Sequence, residues 1–259
     1  MATKVNLNAD MGEGHGAYAI GADEALLDIV KSASVACGFH GGDFRSMHRL
    51  ARQAAEKGVS IGAHPGFNDL WGFGRRRITM AAQDVEYMVA YQIGALQALA
   101  AYSGIRVTHV KIHGALNNMA AEDEALAMAV GRAIKAVDPA IIYVALTGSE
   151  MERAAERLGL PMAREGFADR VYADDGNLAS RSIPGTVIKD PARARDQVLR
   201  MVREREVVTI SGKVLPVQAD TICIHGDEPT AVALGNEIIR GLAEAGIENV
   251  PMTELDLAR

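Results

Sequence analysis

Val5-Asn6-Leu7-Asn8-Ala9-Asp10 alternates apolar and polar residues one by one. Successive side chains of a strand point to opposite faces, so Asn6, Asn8 and Asp10 share one side while Val5, Leu7 and Ala9 share the other. The pattern returns in His109-Val110-Lys111-Ile112-His113, where three ionisable side chains lie on one face. Taken alone, such a strand fits an antiparallel sheet with one wet face. The rest of the chain argues against that reading.

Outward from these two stretches, strand-length apolar runs alternate with helical patterns. Seven strands are expected: Val5 to Ala9, Ala33 to Cys37, Val59 to Ala63, Val107 to Ile112, Ile141 to Leu146, Ala163 to Phe167 and Thr221 to Ile224. Asp43 is an N-cap candidate for a helix carrying Met47, Leu50, Ala51 and Ala54 on one stripe and stopping at Gly58. A longer helical pattern runs from Met80 to Ser103. Ser149-Glu150-Met151-Glu152 has capping-box spacing, and Asp190-Pro191 and Glu228-Pro229 put proline near a first helical position. Strand-helix alternation implies a parallel sheet with right-handed crossovers. A doubly wound sheet is covered on both faces and reads apolar throughout, whereas polar residues on one parity fit a barrel with a partly wet interior. The expected fold is an irregular seven-stranded parallel (β/α) barrel, one domain over residues 1–259, with an insertion of loop, helix and hairpin at 172–219 before the last strand.

Composition agrees with a soluble globular chain: 259 residues, 49% hydrophobic and 23% charged, with a mean hydropathy of +0.04. A formal net charge of −6 and scattered basic residues, apart from Arg75-Arg76-Arg77, leave no footprint for nucleic acid or an anionic membrane. No stretch reads as a signal peptide or a membrane span, so a cytoplasmic protein is expected. Cys37 and Cys223 sit in apolar strand-like settings and read as buried free thiols.

The active site of a parallel barrel forms where the loops converge over the C-terminal ends of the strands. Those ends carry Asn8, Asp10 and Glu13 after the first strand, His40 after the second and His64 after the third. The fourth supplies Lys111, His113 and Asn117, the sixth Glu165 and Asp169, and the last His225 and Asp227. One histidine so placed is usually a satisfied core or loop residue, but several histidines and carboxylates converging from different strands perturb one another's protonation, the mark of a catalytic cleft. General acid/base work is the simpler use of these groups; a divalent metal held by Asp10, His40 and His64 is the alternative. His15 and His48 lie in a glycine loop and a helix and carry less. Gly12, Gly14 and Gly16 do not match dinucleotide spacing, and no phosphate-loop lysine motif occurs. The turn Gly72-Phe73-Gly74-Arg75-Arg76-Arg77 offers arginines suited to a carboxylate or phosphate, or is simply a solvated basic turn.

These motifs resemble the LamB/YcsF family along essentially the whole chain. The resemblance is carried by Val5 to Glu13, by Ala36-Cys37-Gly38-Phe39-His40-Gly41-Gly42-Asp43, and by Gly62-Ala63-His64-Pro65-Gly66-Phe67 with Asp69. It extends through Val110-Lys111-Ile112-His113-Gly114-Ala115-Leu116, Glu165-Gly166-Phe167-Ala168-Asp169-Arg170 and Ile224-His225-Gly226-Asp227. It implies a barrel of the glycoside hydrolase/deacetylase type and one subunit of an ATP-hydrolysing 5-oxoprolinase, converting 5-oxo-L-proline, ATP and water to L-glutamate, ADP and phosphate. ATP with Mg as co-substrate and partner subunits B and C are implied with it. On this reading Asp10, His64, Lys111 and His113 are catalytic, while Asn8, Glu13, His40, Asn117, Glu165, Asp169, His225 and Asp227 bind or orient the lactam. Two other readings stay open: a metal-dependent amidohydrolase or deacetylase needing no ATP, and a non-catalytic subunit that binds a lactam or carbohydrate. The sequence also admits a homo-oligomer.

Overall fold

The computed structural model describes residues 3–257; Met1, Ala2, Ala258 and Arg259, the ends of the expected single domain, lie outside the described residues. In chain order the elements are β1 (Thr3–Met11), α1 (Asp23–Leu26), β2 (Ser32–Ala36), α2 (Phe44–Lys57), β3 (Ser60–His64), α3 (Ala82–Ala101) and β4 (Val107–Val110). There follow α4 (Gly114–Glu122), α5 (Glu124–Val137), β5 (Ile142–Leu146), α6 (Glu150–Leu158), β6 (Met162–Phe167) and α7 (Pro191–Arg203). Then come β7 (Glu206–Val208), β8 (Val214–Pro216), β9 (Thr221–Ile224), α8 (Ala231–Glu244), β10 (Ile247–Asn249) and a 3-10 turn (Met252–Glu254).

Strands β1 to β6 and β9 pair in parallel, and β9 returns to β1 to close a seven-stranded barrel. The seven expected strands are these seven, with ends shifted by a residue or two. β4 is shorter than expected and leaves the regular ladder after Val110, although Lys111 N and His113 N still donate to Ala63 O and Pro65 O. The sequence reading missed β10. It pairs with the foot of β1, Thr3 opposite Ile247 and Val5 opposite Asn249, below the point where β9 takes over that edge at Asn6. Three residues hold too little periodicity to announce such a strand.

Helix ends follow local chemistry. Asp43 accepts from Ser46 N, and Gly58 ends α2 in the left-handed region at φ 67. At α6 the reciprocal capping box is replaced by a shifted version: Ser149 Oγ accepts from Met151 N, and Glu152 reaches back to Gly148 N rather than to Ser149 N. Gln92 is fully buried in α3 and brackets Gly66, accepting from its N–H and donating to its carbonyl, both at 3.0 Å. That clamp fixes the loop leaving β3. Between Tyr172 and Ala219 the chain forms loops, α7 packed on α8, and the antiparallel pair β7–β8, which turns at residues 209–213.

The two parities of β1 divide the molecule as expected. Val5, Leu7, Ala9 and Met11 join the apolar layer under the helices, while Asn6, Asn8 and Asp10 enter the lumen, all of them buried. Buried polar groups are mostly hydrogen-bonded, and the lower lumen largely follows this, although Asn8 Oδ1 and His109 Nε2 have no partner among the described residues. Asn6 Nδ2 donates to Ser32 Oγ at 2.9 Å and Val250 O at 2.7 Å, and Ser32 Oγ lies 2.8 Å from Ser60 Oγ. Thr221 Oγ1 donates to Asn6 Oδ1 at 2.7 Å and accepts from Asn8 Nδ2 at 2.8 Å. This hydroxyl-amide plug closes the barrel foot and seats the charged layer above it.

Candidate active site

The charged layer is centred on Lys111. Its Nζ donates to Asp10 Oδ1 at 2.6 Å and lies 3.8 Å from Glu165 Oε1, with all three side chains buried. Asn8 Nδ2 donates to the same Glu165 oxygen at 3.2 Å. Burial alone would lift the Asp10 carboxyl, but His64 and Lys111 outweigh it and hold the group well below the usual carboxylate range. Burial dominates at Glu165 and, despite Lys111, pushes it up to about 7. Two carboxylates flanking one ammonium therefore differ in charge state near neutrality, the kind of split that separates a fixed anion from a proton-exchanging group. Burial would depress Lys111, yet Asp10 foremost, then Cys223 and Glu165, hold it well above its ordinary value.

Beside this pair stands a block of three imidazoles. His40 and His113 stack in parallel with centroids 3.6 Å apart, and His64 meets both edge-on. His64 Nδ1 donates to Lys111 O at 2.6 Å, and His113 Nε2 donates to Phe73 O at 2.8 Å. Carbonyls can only accept, so the tautomers follow from these two contacts. What remains is the 2.9 Å contact between His64 Nε2 and His113 Nδ1. Two neutral rings would meet there lone pair to lone pair; the contact is attractive only with one further proton, or another cation, on that line. Asp10 Oδ2 lies 3.4 Å from His64 Nε2 and Glu13 Oε1 lies 3.5 Å from His113 Nδ1, so carboxyl oxygens flank the position. Burial lowers the basicity of His40, His64 and His113, and a proton held there is readily surrendered. Burial also raises Glu13 well above the usual range, with Asp10 and Asp227 adding to the effect.

Backbone detail holds this block in place. Phe73 sits at φ 53, unusual for a bulky residue, which aims its carbonyl at His113. Asp69 braces the turn by accepting from Gly72 N at 3.0 Å and from the Arg76 guanidinium. A Cβ on Gly74 would stand 2.6 Å from His40 Cβ and 2.9 Å from His113 Cδ2, so the close approach of this turn requires glycine.

Glu13, His40, His64 and His113 have donor atoms within 4.8 Å of one another, and Glu13 Oε1 and both His40 ring nitrogens are buried without a hydrogen-bond partner among the described residues. The donor types suit a divalent ion. Adjacent ligands of a tetrahedral ion with bonds of about 2.05 Å lie about 3.3 Å apart, so His64 and His113 would part slightly to share one. Of the residues expected to hold metal, His40 and His64 fall in this group, while Asp10 stands beside it and groups separately with Cys223 and His225.

A cavity of about 420 Å³ opens from this layer, lined by Asp10, His64, Lys111, His113, Glu165 and His225, with Asn117 on one wall. His225 is oriented by Asp169, whose carboxylate lies 2.9 Å from Nδ1 and accepts the His225 N–H at 3.0 Å. Asp227 lies at the rim, where it accepts from Arg75 at 2.7 Å. His109 is a lower-lumen residue, held by Thr108 at 2.9 Å and pushed down to about 3 by burial. His15 and His48 stand apart, against Tyr18 and Tyr102. Arg170, Arg181 and Phe167 also line the cavity; Arg181 comes from the long loop after β6 and carried no periodic or motif signal.

A closed seven-stranded parallel barrel with a polar lumen and a histidine-carboxylate mouth defines the deacetylase-like (β/α) barrel class. A peptidoglycan N-acetylglucosamine deacetylase domain from Eubacterium rectale shares the fold with a TM-score of 0.51 at 12% identity, over 97% of this chain and 89% of that one. Residues 5–257 match the profile of the LamB/YcsF family, and the chain belongs to that family. A relative from Rhodopseudomonas palustris, named as a component subunit of 5-oxoprolinase, is 51% identical, covering 96% of this chain and 98% of its own. A lactam utilization protein from Thermus thermophilus superposes with a TM-score of 0.90 at 44% identity, covering 96% and 99% of the two chains. No helix among the described residues is long and apolar enough to cross a membrane.

Proposed function

We propose that this chain is the lactam-handling subunit of an ATP-dependent 5-oxoprolinase, opening 5-oxo-L-proline to L-glutamate in a complex with two further subunits, B and C, while ATP becomes ADP and phosphate. The observation that supports it best is the Lys111 ammonium at the cavity floor between ionised Asp10 and Glu165, whose pKa is near neutral. A lactam is a stabilised amide, and transfer of a phosphoryl group to its oxygen makes the ring carbon a better electrophile. In this proposal ATP binds mainly to the partners, which accords with a chain in which no phosphate-loop motif is found.

With the activated lactam in the cavity, Lys111 would face the oxygen that gains negative charge. Glu165 accepts a proton from the attacking water, a task suited to a carboxyl near neutrality. The ring C–N bond then breaks, and the His64–His113 pair supplies the proton that the leaving nitrogen needs. A second water releases the acyl phosphate as glutamate and inorganic phosphate, which balances the atoms. Asp10 keeps Lys111 charged and steadies the proton on His64. Turnover to glutamate only when this chain, both partners and Mg-ATP are combined is the expected result; glutamate from this chain alone without ATP would overturn the assignment.

The Glu13, His40, His64 and His113 group favours one second reading, a metal-dependent amidohydrolase. A divalent cation held by those four side chains would supply Lewis-acid activation of a carbonyl or of water.

A further inference from the structure

The rim of the cavity is cationic on one side, and its charges are unevenly compensated. Arg75 pairs with Asp227 at 2.7 Å and packs 4.9 Å from the Phe73 ring centroid. Arg181 has a looser partner, Glu228, at 3.6 Å. Arg170 is only 7% exposed, and among the described residues its guanidinium makes one hydrogen bond, from Nη2 to Ala179 O at 2.6 Å, while its buried Nε has no partner. The neighbouring carboxylate, Asp169, is committed to His225. Burial, with Arg181 and Arg75 nearby, pushes Arg170 down to about 10. Of the three guanidiniums at this wall, Arg75 and Arg181 pair with a carboxylate, while Arg170, which also lines the cavity, forms no ion pair among the described residues.

We infer that Arg170, supported by Arg181, forms a carboxylate subsite that selects cyclic amides bearing a carboxylate on the ring and sets their orientation over Lys111. A buried guanidinium with no ion-pair partner suits an anionic ligand group, and its planar fork matches the two oxygens of a carboxylate better than a point charge would. Anchoring that group on the arginine wall holds the ring in one pose, so the amide end faces the floor. The inference rests on the lactam reading above and adds which end of the substrate the chain recognises.

Equilibrium binding to the full chain tests it, using 5-oxoproline, uncharged 2-pyrrolidinone, cyclopentanecarboxylate and inorganic phosphate as probes. Wild type should prefer 5-oxoproline to 2-pyrrolidinone. Arg170→Gln should weaken 5-oxoproline about 30-fold, the scale of a lost charged hydrogen bond, and leave 2-pyrrolidinone unchanged. Arg170→Lys should recover only part, and Arg181→Gln, at a more exposed position, should give a smaller loss in the same direction. Unaltered 5-oxoproline binding by folded Arg170→Gln and Arg181→Gln proteins would overturn the subsite, as would wild-type binding of no carboxylate at all. Loss of phosphate binding alone in those variants would reassign the wall to a phosphoryl group and also overturn it. Arg170-dependent binding of cyclopentanecarboxylate with neither lactam bound would sustain the subsite while sinking the lactam reading.

Discussion

Lys111 Nζ donates to Asp10 Oδ1 across 2.6 Å with both side chains 4% exposed, a hydrogen-bonded ion pair held out of water at the floor of the cavity. Removing one member of such a pair leaves the other buried and uncompensated, which costs about 3 to 5 kcal/mol. Lys111→Met should therefore destabilise the chain by about that much in urea denaturation. Adding Asp10→Asn to it should return most of the stability, because neither charge then remains, yet return no activity. Recovery of turnover in the double variant would mean that the pair serves the fold alone.

Glu165 provides a test through pH. Its folded pKa, about 7, lies above its ordinary 4.5, so the folded state binds the proton more tightly than the unfolded chain. The resulting stabilisation is fully present below pH 4.5 and fades as pH rises through about 7. The span corresponds to roughly 3 kcal/mol at 1.36 kcal/mol per unit. Urea denaturation of Glu165→Gln, compared with wild type between pH 4.5 and 7.5, should show a flatter profile. An equal slope in both proteins would show that the proton is not held there.

Packing inside the lumen can be tested at Gly62, where a Cβ would stand 2.2 Å from His109 Cδ2. Gly62→Ala should cost about 3 kcal/mol by overpacking. Combined with His109→Ala it should cost less than the sum of the two single changes, since the imidazole that blocks the methyl has gone. Strict additivity in thermal or urea unfolding would contradict the contact.

The 2.9 Å contact between His64 and His113 is completed by a proton in the mechanism proposed above and by a metal ion in the second reading. After chelation, gel filtration and return of Mg-ATP and the partners, turnover should be undiminished, and elemental analysis should find no stoichiometric transition metal. One zinc or manganese per chain, lost together with activity, would favour the amidohydrolase.

Much of this architecture was legible from local pattern. Alternation in Val5 to Asp10 and in His109 to His113 has the period of a strand, and it placed the polar parity in the lumen without knowledge of the neighbouring strands. Asp43 and Gly58 marked α2 through capping chemistry that acts over four residues or fewer. The unread features depend on convergence in space. The stacking of His40 on His113, the close contact of His113 with His64, and the opposite titration of Asp10 and Glu165 join residues from different strands. Arg170 lay within a recognised motif, but its unsatisfied Nε exists only once the loop after β6 folds over it. β10 is stabilised by an edge that β1 offers rather than by its own three residues.

The central claim is that ring opening takes place on this barrel at the Lys111–Asp10 pair. The most direct measurement replaces the wild-type chain by Asp10→Asn in the complete ATP-containing mixture and follows glutamate formation, with complex assembly checked by gel filtration. The account predicts an assembled complex whose glutamate production falls by about a thousandfold, the scale of a lost catalytic group. Normal turnover by an assembled Asp10→Asn complex would contradict it.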